Sequence, residues 1–153
     1  MDSRAEIERE LLEILGPRLR MYMPTDEEKD PSLWVGETFR VLRSAVASGD
    51  PQAISLACEL IAEDPKLPFG KLIKSDLARA LKKQFGKIIA FERQQVIDTT
   101  GKLLGQEFAP RELEDYCKLV KKFPRAEVLT NFAGVTPRNA KAKHLLDYIR
   151  NDA

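Results

Sequence analysis

Residues 50–87, DPQAISLACELIAEDPKLPFGKLIKSDLARALKKQFGK, decide the fold. Their first part is apolar nearly all round: Ala53, Ile54, Leu56, Ala57, Cys58, Leu60, Ile61 and Ala62 leave little polar face. A helix of that kind belongs inside a core. Asp50 is placed to cap its free amides, and Pro51 takes the first helical position, where a missing N–H costs nothing. The turn Asp64-Pro65-Lys66-Leu67-Pro68-Phe69-Gly70 then separates it from a helix of different character. At about 100° per residue, Lys71, Arg79, Lys82, Lys83 and Lys87 fall on one arc of this second helix. Ile73, Leu77, Ala80, Leu81 and Phe85 fall on the other. One side is built to pack and the other presents cations. Lys74 intrudes at the apolar edge, where its stem has to snorkel.

Similar punctuation recurs outward from this stretch. Ser3-Arg4-Ala5-Glu6 has the capping-box pattern, and Ile7, Leu11, Ile14 and Leu15 follow at helical spacing, so a helix is predicted over 4–15. Gly16-Pro17 ends it. Pro24-Thr25-Asp26-Glu27-Glu28-Lys29-Asp30 reads as a polar connector, which makes residues 1–30 a candidate mobile or partner-exchanged arm. Asp30-Pro31, Asp50-Pro51 and Thr136-Pro137 are helix starts of one kind. Further helices are predicted over 32–47, 51–63, 70–85, 87–104, 110–122, 125–133 and 137–150. No stretch alternates in the manner of a strand. The expected class is all-α, a single domain over 1–153 with seven to eight helices. Leu42, Leu81 and Val120 lie 39 residues apart, as do Leu33 and Leu72. That period falls in the range of two-helix repeats. Stacked antiparallel hairpins are expected, as an irregular bundle or a short HEAT-like helical-repeat array.

The chain of 153 residues is 43% hydrophobic and 32% charged, with net charge +1, the profile of a globular domain. The charge is segregated. Residues 1–65 carry a net −7, residues 66–93 +6, residues 94–117 −3 and residues 118–153 +5. Two basic blocks of this kind suit an acidic partner, or pair with acidic helices inside the fold. No apolar run reaches the length of a membrane span, and the polar start is no secretory signal. Cys58 and Cys117 are isolated on apolar faces, as expected of reduced core residues in a cytoplasmic protein.

Catalytic patterns are sparse. His144 is the one histidine, so no His/Cys metal cluster is available, and neither a metal nor a cofactor is expected. Gly70-Lys71, Gly86-Lys87 and Gly101-Lys102 lack the upstream glycine of a phosphate loop. The carboxylates Glu6/Glu10/Glu13 and Glu112/Glu114/Asp115 read as solvated faces. A second feature is LTNFAGVTPRNA over 129–140, a helix, a glycine turn and a helix start, which resembles a helix-turn-helix. There Arg138, Asn139, Lys141 and Lys143 are the candidates to face nucleic acid, since Arg and Asn read base edges bidentately. Thr130 and Ala140 depart from the usual packing positions, and an ordinary helical hairpin accounts for the same residues.

The expected function is a non-enzymatic protein-interaction module, an adaptor, regulator or assembly subunit. Its binding face would be Lys71, Arg79, Lys82, Lys83 and Lys87, turned to an acidic protein surface, with no membrane partner. A nucleic-acid-binding regulator using 125–143 is the alternative. An enzyme with carboxylate chemistry is the third reading.

Overall fold

The computed structural model describes residues 3–23, 31–65 and 70–151, with the backbone alone for residues 3, 4, 31–34, 70 and 71. The connector 24–30, the Asp30 cap and the turn at 66–69 lie outside the described residues. Among the described residues there is no strand, and the chain is all-helical. The helices are α1 (Ser3–Leu15), α2 (Pro31–Ala47), α3 (Pro51–Glu63), α4 (Gly70–Lys83), α5 (Ala90–Leu104), α6 (Leu113–Val120), α7 (Arg125–Phe132) and α8 (Ala140–Arg150). Short 3-10 turns at Pro17–Tyr22 and Phe85–Lys87 join two of the pairs.

α3 forms as its residues dictate. The Asp50 carboxylate accepts a hydrogen bond from the Gln52 amide at 3.1 Å, and Asp64 closes the far end in the left-handed region at φ 49°. Ala53, Ile54, Leu56, Ala57, Cys58, Leu60 and Ile61 are all buried. A helix buried on so many sides needs neighbours around it, and α1, α2, α4 and α5 all pack against it.

From α2 onward, each helix packs on the next but one, and α2 on α3, α3 on α4, α5 on α6 and α7 on α8 join the two sets. α2, α4, α6 and α8 therefore form one layer, and α3, α5 and α7 the other. Within a layer the helices run parallel. Gly36 and Arg40 of α2 lie beside Ile73 and Asp76 of α4, while Ala47 at the end of α2 accepts a bond from Gln84. In the second layer, Arg93 of α5 bonds Glu127 of α7, and Gly101 further along approaches Phe132. The links Arg79–Asp115, Gln84–Ala47, Arg93–Glu127, Gln94–Asn131 and Thr99–Ala62 all join residues 34 to 37 apart. The helices pack against one another as an all-α bundle or array, with starts 39, 43 and 27 residues apart along the first layer. Leu42, Leu81 and Val120, read as a 39-residue repeat, occupy α2, α4 and α6 and are each fully buried.

α1 and the turn after it cover the α2/α3 end of the array, burying Leu11, Leu15, Leu19 and Tyr22. Arg18 at this end bonds Ser55 at 3.2 Å and pairs with Glu59.

Three boundaries differ from those expected. α8 starts at Ala140 and not at Pro137, because the Asn139 side chain caps it, accepting from the Ala142 amide at 2.8 Å. Asn is a stronger cap than Thr, so it outcompetes Thr136. α6 starts at Leu113, after a turn in which the Leu113 amide bonds the Pro110 carbonyl at 3.1 Å. α5 starts at Ala90, because Phe85–Lys87 tightens into a 3-10 turn that leaves Ile88 buried and Ile89 exposed. The interior Gly101 does not end α5, which continues to Leu104.

Candidate partner-binding face

The expected cationic arc of α4 divides into engaged and free residues. The Lys71 side chain lies outside the described residues. Arg79 is engaged: its Nε donates to Asp115 Oδ1 of α6 at 3.1 Å, and Asp76 lies 3.7 Å from its Nη1. Lys87 lies over Gly49, next to the C-terminal end of α2. A cation there meets the negative end of the helix dipole, as Gln84 does when it donates to the Ala47 carbonyl at 2.8 Å. Lys83 is exposed and Lys82 half-buried, and neither has an ion-pair partner among the described residues. Lys74, at the apolar edge, is buried and reaches Asp64 at the end of α3, at 2.6 Å.

The carboxylates that neutralise the basic blocks are mostly not those of the acidic first third. Asp115 takes Arg79, Glu107 takes Arg138 and Glu114 faces Lys118, all three from the block 94–117. Glu127 takes Arg93 in a fork of two bonds at 2.9 and 2.7 Å. That pairing holds the Glu127 carboxyl below its usual value and raises Arg93, the hydrogen bond being the main cause. Among the described residues only Lys74 of the two basic blocks pairs with a carboxylate of residues 1–65.

Two cations that the sequence reading did not single out stand on the same layer. Arg40 and Arg43 on α2 are exposed and form no ion pair or hydrogen bond with any described residue. Their spacing on one helix side was a legible signal. It was hidden because they fall within residues 1–65, whose net charge is −7. A shallow groove between α2 and α4 is lined by Gly36, Phe39, Arg40, Arg43, Leu72 and Ile73. A second groove, between α2 and the turn after α1, is lined by Met21, Tyr22, Met23, Glu37, Arg40 and Val41. Arg40 borders both.

The C-terminal candidates are arranged differently. α7 and α8 are joined by residues 133–139, a longer connection than the three- or four-residue turn of a helix-turn-helix. Arg138 lies in that connection and pairs with Glu107 at 2.6 Å. Asn139 spends its oxygen on the cap of α8, and its amide donates to the Gln106 and Glu107 carbonyls at 3.1 and 3.3 Å. Lys141 and Lys143 are exposed on the first turn of α8. The four are thus split between a bonded connection and a free helix turn.

Both cysteines are buried, which raises their thiols: Cys117 is pushed up to about 12, and Cys58 further. Among the described residues no group of His, Cys, Asp and Glu is placed to hold a metal, and no helix is long and apolar enough to cross a membrane. No protein-family model matches the chain, and neither a curated protein nor a solved structure matches it.

Proposed function

We propose that this chain is a non-enzymatic, cytoplasmic interaction module that offers the outer face of its first layer to an acidic protein partner. The observation that carries this reading is the set of cations without an ion pair among the described residues, on adjacent parallel helices: Arg40 and Arg43 on α2, Lys82 and Lys83 on α4. Arg79 and Lys87 flank them and help to hold the helices in place. Charge of this kind steers an encounter and selects a partner of opposite sign. The carboxylates Asp76 and Glu37 interrupt the face. That interruption suits a patterned protein surface better than the uniform charge of a phosphate backbone.

The test compares the wild type with two charge reversals, Arg40→Glu/Arg43→Glu and Lys82→Glu/Lys83→Glu, in affinity capture with quantitative mass spectrometry. Partners that bind the wild type and are lost from both variants support the reading. A partner set identical for all three proteins overturns it. Salt-sensitive retention of duplex or single-stranded nucleic acid, lost on reversal of Lys141 and Lys143, would favour the regulator reading instead.

A further inference from the structure

The two grooves beside α2 share a construction that points to a more defined occupant. Their floors are apolar: Phe39 and Ile73 line one, Tyr22 and Met23 the other. Large apolar side chains stand exposed on their banks, with Met21 at 64%, Val41 at 50% and Leu72 at 52% of full exposure. Arg40 of α2 borders both grooves, and Arg43, one turn on, lines the α2/α4 groove. Gly36 widens the α2/α4 groove. It sits inside a helix, where glycine costs about 1 kcal/mol relative to alanine, yet a Cβ there would meet nothing within 4 Å. Its lack of a side chain is therefore not demanded by packing, and it leaves the groove open.

We infer that an acidic amphipathic segment of another protein docks across α2, with one apolar side chain in each groove and a carboxylate between them on Arg40. The inference rests on the interaction-module reading and locates its binding site. The chemistry follows from complementarity. The apolar banks call for apolar anchors, and a guanidinium between them without an ion pair among the described residues calls for a carboxylate, which it can grip bidentately. Arg40 lines both grooves, so a carboxylate on it lies between the two anchors. Arg43 adds a second cation at the α2/α4 groove. A nucleic acid fits less well, because the floors are apolar and Glu37 and Asp76 stand beside the arginines.

A random peptide display library is panned on the full chain, and the enriched sequence is made as a fluorescein-labelled peptide. The expected consensus is net acidic, with two large apolar residues flanking a Glu or Asp. By fluorescence anisotropy, Arg40→Glu/Arg43→Glu is expected to weaken the peptide by at least about tenfold. Gly36→Leu is expected to do the same by filling the groove, while its helix content and thermal midpoint hold or rise. That second variant separates loss of the site from loss of the fold. An enriched sequence without acidic residues, no enrichment at all, or equal binding to wild type and both variants overturns the inference. Binding lost only with Lys82→Glu/Lys83→Glu overturns the groove but leaves the basic-face reading standing. Self-association of the wild type that Arg40→Glu/Arg43→Glu abolishes would make the occupant a second copy of this chain, and the inference falls.

Discussion

Asn139 illustrates how a side chain chosen for one chemistry is used for another. Its amide has both an acceptor and donors, which is what base reading needs. The same two ends serve here as a helix cap and as an anchor for the turn after α5. Asn139→Ala is expected to cost about 1 kcal/mol from the cap alone, measured as a shift in the midpoint of denaturant unfolding. Asn139→Asp keeps the acceptor and loses the donors, so it should fall between the two. A variant as stable as the wild type would remove the capping role. Glu127 makes a prediction about pH. Its folded pKa lies below the usual 4.5 because of Arg93, so the unfolded chain takes up a proton first as the pH drops. The pair's contribution is complete above that value and is lost as the pH falls through the lower, folded one. Glu127→Gln should destabilise the protein by about 1 kcal/mol at neutral pH, the upper range for a partly exposed pair. The difference should close in acid, as followed by chemical unfolding at several pH values.

At the scale of elements, two glycines behave oppositely. Gly49 follows α2 with φ at 85°, and a Cβ on it would strike the Lys87 ammonium. Gly101 lies within α5, where a Cβ would come no closer than 3.7 Å to Phe132 and Val135. Gly101→Ala is therefore expected to raise stability by about 0.4–1 kcal/mol, and Gly49→Ala to lower it by more than that. Thermal denaturation of the two variants checks the pair, and a destabilised Gly101→Ala would show that the helices are closer than described. The element boundaries follow the same logic. Asp50-Pro51 started α3 as its pattern indicates, because the Asp50 carboxylate accepts from the Gln52 amide only two positions on. Thr136-Pro137 carries the same pattern and starts nothing, because a better cap stands three residues on.

For the whole molecule, the layered array makes stability uneven along the chain. α3 is enclosed by α1, α2, α4 and α5, whereas α1 covers one end and keeps Glu6, Arg9, Glu10 and Glu13 exposed. Amides of residues 56–61 should exchange only through global opening, and those of residues 5–15 at least about tenfold faster. Hydrogen exchange read by mass spectrometry checks this ordering, and equal protection of the two would place α1 in the central cooperative unit. The apolar and cationic face of α2 belongs to this scale as well. Arg40 gains its meaning only when Met21 in one groove and Leu72 in the other are brought up to the same helix.

The all-α class and the buried α3 were open to reading because each depends on near neighbours in the chain. Helical spacing shows which face is apolar, and a cap acts over two or three residues. The partners of the cations were not open in the same way. Arg79 finds Asp115, Arg93 finds Glu127 and Arg138 finds Glu107, each across 31 to 36 residues. Counting charge by blocks leaves open which acidic helices, if any, meet the basic segments. Packing paired them chiefly with the helices next along the layer, since an ion pair requires side chains within about 4 Å. Only the stacking of the helices brings such residues together. The same stacking leaves Arg40 and Arg43 without an ion pair to any described residue, on a helix flanked by two grooves.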